Sequence, residues 1–153
     1  MIVVLDTSAL VSALIYPDRV EGRLLQTVFL GHRLAVSPAL AAELGSVLAR
    51  SKFARLGDRK TRQRAVQALV SHPSCLAVQP LLRVPLVPND PDDNHIVEAA
   101  VAAEAELLAA SDKHLLALRY VPAPPAAAAI PIITPREALV RLVGEVQEAG
   151  RDA

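Results

Sequence analysis

Ile2-Val3-Val4-Leu5-Asp6 reads as a short buried strand closed by a carboxylate, and Leu107-Leu108-Ala109-Ala110-Ser111-Asp112 repeats that pattern far downstream. If both apolar runs are parallel strands, their acids emerge at one edge of a single sheet, where open α/β folds bind ligands. Two further segments can add acids there. Asn89-Asp90-Pro91-Asp92-Asp93-Asn94 opens a later helix, and Glu43 lies within an otherwise apolar helical stripe. Four parts of the chain thus aim oxygen donors at one place, which outlines a site for a hard cation such as Mg²⁺ or Mn²⁺.

Around these segments strands and helices alternate. Leu10, Val11, Leu14 and Ile15 recur at helical spacing until Pro17, and a second helix spans Val20 to Leu30 before Gly31. Residues 33–36 form a short strand. Ser37-Pro38 then supplies an N-cap and a proline at the first helical position. The helix it opens carries Leu40, Leu44, Val47 and Leu48, and Glu43 is expected to point with them. A helix with Val66, Leu69 and Val70 follows, then weak strands at 75–78 and 84–87, a helix from Asp92 to about Glu104, the strand at 107–110 and a short helix after Asp112. The tract 122–129 reads as a loop because Pro124-Pro125 opposes helix. Ile130 to Ile133 is a last strand, and Thr134-Pro135 caps a final helix. The expected fold is α/β, with a largely parallel sheet covered by helices on both faces, in a single domain over 1–148 with a tail at 149–153.

With 153 residues the chain suits one core. No apolar run approaches the ~20 residues of a membrane span, and Met1 leads directly into a strand with no signal peptide, so a cytoplasmic protein without membrane contact is expected. The lone Cys75 excludes an internal disulfide and a cysteine-rich zinc site. His32, His72, His95 and His114 show no ligand spacing and read as surface or loop residues, with His95 and His114 as possible neighbours of the acids. No glycine-rich phosphate loop or nucleophile elbow occurs.

Formal charge is zero by count but unevenly spread. Seven basic residues (Arg50, Lys52, Arg55, Arg59, Lys60, Arg62 and Arg64) face only Asp58 in their segment, while seven acids and no Lys or Arg lie between Asp90 and Asp112. One region then holds a polyanion and another holds cations; alternatively both are solvated helix faces. Each acid also has a bland reading. Asp6 and Asp112 can cap the helices that follow them, the Asp90–Asn94 cluster can be a helix entry, and Glu43 can reach water from the margin of its stripe. A Glu43 on the buried stripe instead needs an arginine or a cation beside it.

Taken in order, Val4-Leu5-Asp6-Thr7-Ser8-Ala9-Leu10, Pro38-Ala39-Leu40-Ala41-Ala42-Glu43-Leu44, Asp90-Pro91-Asp92-Asp93-Asn94 and Ser111-Asp112-Lys113-His114-Leu115 resemble the PIN-domain family. Within it, the plan is similar to VapC-like toxins of bacterial type II toxin–antitoxin pairs. The resemblance implies a Rossmann-like, three-layer α/β/α sandwich with a mostly parallel central sheet, and a metal-dependent endoribonuclease that cleaves RNA phosphodiester bonds, with Mg²⁺ or Mn²⁺ in an acidic pocket, an antitoxin protein as inhibitor and a homodimer. It assigns Asp6, Glu43, Asp93 and Asp112 to the catalytic quartet, with Asp6, Asp93, Asp112, Asp90 and Asp92 as candidate metal ligands. Ser8, Ser111 and Asn94 would stand beside them, and the basic segment would hold RNA. A receiver-type phosphate-transfer domain would need a phospho-accepting Asp after a middle strand, and a haloacid-dehalogenase-type phosphatase would need an acid where Ser8 stands. The remaining alternative is a non-catalytic PIN-like module that binds RNA or protein.

Overall fold

The computed structural model describes residues 1–81, 91–121 and 129–152. Asp90, the strand expected at 84–87 and most of the proline and alanine tract lie outside the described residues. The elements are β1 (Ile2–Leu5), α1 (Thr7–Ile15), α2 (Val20–Gly31), β2 (Arg33–Val36), α3 (Pro38–Leu48), a 3-10 segment (Ser51–Leu56), α4 (Arg59–Val70) and β3 (Cys75–Ala77). A 3-10 turn (Pro91–Asp93) then leads to α5 (Asn94–Ala102), β4 (Leu107–Ala109), α6 (Lys113–Leu118), β5 (Tyr120–Val121), β6 (Ile130–Ile133) and α7 (Pro135–Arg151).

The sheet order is β3-β2-β1-β4-β6-β5, parallel except where β5 runs against β6. From β1 the chain moves outward through β2 to β3 and then returns to β4 on the other side of β1. The reversal between β1 and β4 is the topological switch point, where side chains after the strand ends can meet. Register there pairs Val3 with Leu107, Val4 with Leu108 and Leu5 with Ala109, and the Asp6 amide donates to the Ala109 carbonyl at 3.0 Å. Asp6 and the Ser111–Asp112 turn therefore leave the sheet side by side.

Helices flank this sheet in an α/β/α sandwich: α2 packs on α1 and α7, and α3 on α1, α4 and α5. The central strands are apolar on both faces, with Val3, Val4, Leu5, Leu107, Leu108 and Ala109 fully buried, as parallel strands between helix layers require. Gly22 allows α2 to close on the end of the preceding turn, since a Cβ there would lie 2.3 Å from the Pro17 carbonyl oxygen.

Several expectations are corrected. The stretch beginning near Asp92 is a 3-10 turn before it becomes α5, and α5 ends at Ala102. The two-residue β5 has no counterpart in the sequence pattern; its pairing to β6 creates it. Helix α7 continues through the expected tail as far as Arg151. His32 is buried rather than on the surface, with Nδ1 3.1 Å from the Met1 amine.

Candidate active site

A cavity of about 410 Å³ opens at the switch point and is lined by Asp6, Glu43, Asp93 and Asp112, together with Thr7, Ser8, Ser12, Arg50, Lys52 and Phe53. The four acids come from four elements or their caps: the end of β1, the middle of α3, the turn before α5 and the turn after β4.

Asp6 is 1% exposed and organises both strand ends. Its Oδ1 accepts from the Ala9 amide at 2.8 Å, capping α1, while Oδ2 accepts from the Ser111 and Asp112 amides at 2.8 and 3.1 Å. Burial pushes its pKa above the ordinary carboxylate value; the three amides oppose that shift and the neighbouring Asp112 charge adds to it. Asp112 caps α6, with Oδ1 accepting from His114 at 2.7 Å and Leu115 at 3.3 Å. Capping and cavity lining thus coexist in both residues. Oδ2 of Asp112 accepts no hydrogen bond among the described residues and stays available to a ligand.

Glu43 lies on the flank of its helix stripe. At about 100° per residue, Leu40, Leu44 and Leu48 span an arc of about 80° and Glu43 stands about 100° from its middle. Those leucines are buried, whereas Glu43 faces the cavity with its side chain 35% exposed. No arginine pairs with it among the described residues; its Oε2 accepts from Thr7 Oγ1 at 2.7 Å and lies 2.5 Å from His95 Nε2. Glu43 Oε1 carries no hydrogen bond among the described residues.

Thr7 is the residue that sequence reasoning missed. It is buried at the first position of α1, directly after Asp6, and only the tertiary approach of α3 shows its purpose. Ser8 lines the cavity, and Ser111 contributes its backbone amide to Asp6. Asp92 is exposed and, like Asn94, is not part of the cavity lining. Asp90 lies outside the described residues.

Of the basic segment, Arg50 and Lys52 line the cavity itself. Arg55, Arg59, Lys60 and Arg64 are exposed. Arg62 departs from the expectation of RNA contact, because its guanidinium is turned inward. Nη1 donates to the Leu48 and Arg50 carbonyls, and Nε to those of Gly57 and Asp58, so it fastens the end of α3 to the start of α4.

The donor set is entirely hard oxygen, with open lone pairs on Asp112 Oδ2 and Glu43 Oε1. That chemistry fits Mg²⁺ or Mn²⁺. Among the described residues no three His, Cys, Asp or Glu side chains lie close enough together to hold a metal ion by themselves. An ion that keeps several waters and takes one or two carboxylates suits such an open arrangement.

Residues 2–114 match the sequence profile of the PIN domain. The chain belongs to the PIN-domain family. The fold of this PIN domain is similar to that of a chain in the crystal structure of VapBC2 from Rickettsia felis bound to a DNA fragment from their promoter. The two share a TM-score of 0.57 and 18% sequence identity over 77% of this chain and 93% of that chain. At this identity the likeness speaks for the fold. No curated protein matches the PIN-domain chain in sequence. Among the described residues no helix is long and apolar enough to cross a membrane.

Proposed function

We propose that this PIN domain is a metal-dependent endoribonuclease that cleaves RNA phosphodiester bonds, and that it acts as the toxin of a VapC-like toxin–antitoxin pair. The observation that carries the nuclease reading is the meeting of Asp6, Glu43, Asp93 and Asp112 in one cavity whose wall also includes Arg50 and Lys52. Four acids lining one cavity repel a phosphate; a divalent ion bound there turns that repulsion into attraction.

Asp6, Asp93 and Asp112 would hold Mg²⁺ or Mn²⁺. When bound, the ion supplies an activated water and charge neutralisation on the phosphate. Glu43, held on Oε2 by Thr7 and His95, presents Oε1 to accept a proton from the attacking water. Arg50 and Lys52 place the phosphate over the acids, and exposed Arg55, Arg59, Lys60 and Arg64 attract the flanking backbone without reading its sequence. The PIN-domain match and the fold likeness to a VapBC2 chain support the toxin role and an antitoxin partner; a homodimer and a cytoplasmic site of action are proposed with them by analogy alone.

Incubating structured RNAs with the purified protein in EDTA, Mg²⁺ or Mn²⁺, beside Asp112→Asn, tests the proposal. Metal-dependent cutting lost in the variant is expected. Binding of RNA by the parent chain without cutting under any metal would favour the non-catalytic module.

A further inference from the structure

Beyond the cavity, α1 ends in a cluster of which the nuclease reading uses only Arg55, and that only as one of several diffuse charges. Tyr16 caps α1, the Arg19 guanidinium carbon lies 3.9 Å from the centre of its ring, and Arg55 Nη2 donates to its hydroxyl at 3.3 Å. Two cations are thereby gathered on one phenol, and no carboxylate forms an ion pair with either among the described residues. Both arginines are exposed.

The cluster adjoins the cavity wall along the chain without lining it. Ser8 and Ser12 of α1 line the cavity, and Tyr16, at the C-cap, lies one turn beyond Ser12, its amide donating to the Ser12 carbonyl at 2.8 Å. Lys52 lines the cavity, and Arg55 follows it by three residues within a 3-10 segment, where a three-residue turn gives the same face. Helix rise sets the spacing: Ser8 to Tyr16 spans about 12 Å along α1.

We propose that Tyr16, Arg19 and Arg55 form a second phosphate seat, holding a backbone phosphate of a single-stranded RNA segment that flanks the one over the acids. Arg19 and Arg55 contact the phosphate, and Tyr16 positions both guanidiniums. The competing explanation is that the arginines merely satisfy the negative end of α1, and it predicts no effect on RNA. The inference rests on the RNA reading of the cavity.

The test is fluorescence anisotropy of a labelled random-sequence 12-nucleotide RNA pool, in EDTA so that no cutting occurs, across a salt series. Arg19→Gln and Arg55→Gln should each weaken binding roughly five- to tenfold and lower the salt slope by about 0.7. Arg55→Lys should keep the slope, and Tyr16→Phe should weaken binding less than either charge removal. Unchanged affinity and slope in both glutamine variants, beside a parent that binds, would overturn the second seat and leave the nuclease reading standing. A parent that neither binds RNA in EDTA nor binds or cuts it in Mg²⁺ would overturn both; where binding needs Mg²⁺, the same glutamine comparison made in Mg²⁺ decides the second seat.

Discussion

On the β1/β4 side of the cleft, Asp6 and Asp112 are fixed by five backbone amides, whereas on the α3/α5 side Glu43 is held by two side chains, Thr7 and His95. The amides belong to helix starts and to a turn fixed by sheet register, so they cannot move without unfolding the switch point. The side chains can rotate. One half of the site is therefore built into the fold, and the other is assembled upon it. On the fixed side, removing the hydrogen-bonding oxygens should strike the fold, whereas removing only the charge should strike activity alone.

Asp112→Asn is the sharpest separation available on the fixed side. Asparagine caps helices about as well as aspartate, so stability should change by less than about 0.5 kcal/mol, while loss of the Oδ2 charge should slow RNA cleavage by about a hundred- to a thousandfold, the usual scale for removing one transition-state-stabilising group. Thermal melts beside single-turnover cleavage check both halves. Retained cleavage would remove Asp112 from the mechanism.

Asp6→Ala should do the opposite, striking the fold first. It strands three amides that are bonded to one buried carboxylate, and about 3 kcal/mol of stability should be lost in urea unfolding. A loss below about 1 kcal/mol would mean that water replaces the carboxylate and that the fixed half is less rigid than its hydrogen bonds indicate.

Much of this contrast was legible in the sequence. The fixed half follows local rules: an apolar strand, then an acid at an N-cap position, and the same chemistry marks Ser37-Pro38 and Thr134-Pro135. The assembled half depends on which helix faces meet. Glu43 was visible as an unusual acid in an apolar stretch, but its place on the flank and its partners Thr7 and His95 required the packing of α3 against α1 and α5. Arg62 was hidden for the same reason. Counted in a basic run it reads as an RNA contact, and only the tertiary path of the chain brings four carbonyls to its guanidinium. β5 owes its two residues to β6, and no two-residue pattern announces a strand.

Arg62→Met, which keeps the aliphatic stem and removes the carbonyl bonds, should cost about 1–2 kcal/mol and leave the salt dependence of RNA binding unchanged. Reversing Arg59, Lys60 and Arg64 together should weaken RNA binding with little loss of stability, since exposed charges contribute little to folding. If Arg62→Met flattens the salt slope as strongly, the inward guanidinium also reaches RNA. Thr7→Val is the milder break on the assembled side: about 1 kcal/mol of stability, with a several-fold slower cleavage as Glu43 loses one of its two donors. Equal cleavage rates would show that His95 alone holds the carboxylate.

The smallest effect separates the halves by pH. Asp6 has its pKa raised above 3.8 in the folded chain, chiefly by burial. Between that ordinary value and the raised one, the folded chain binds more protons than the unfolded chain, so stability falls as pH rises through the window; below the window both states are protonated and the penalty is absent, and above it the full penalty remains. In EDTA, the melting temperature of the parent should therefore decline from about pH 4 toward neutrality more than that of Asp6→Asn, which has no carboxyl to ionise at that position. Mg²⁺ at neutral pH should recover part of the difference in the parent alone, because a cation offsets the buried charge. Parallel melting curves for parent and variant would place the burial penalty elsewhere and leave the three amides as full compensation for the Asp6 charge.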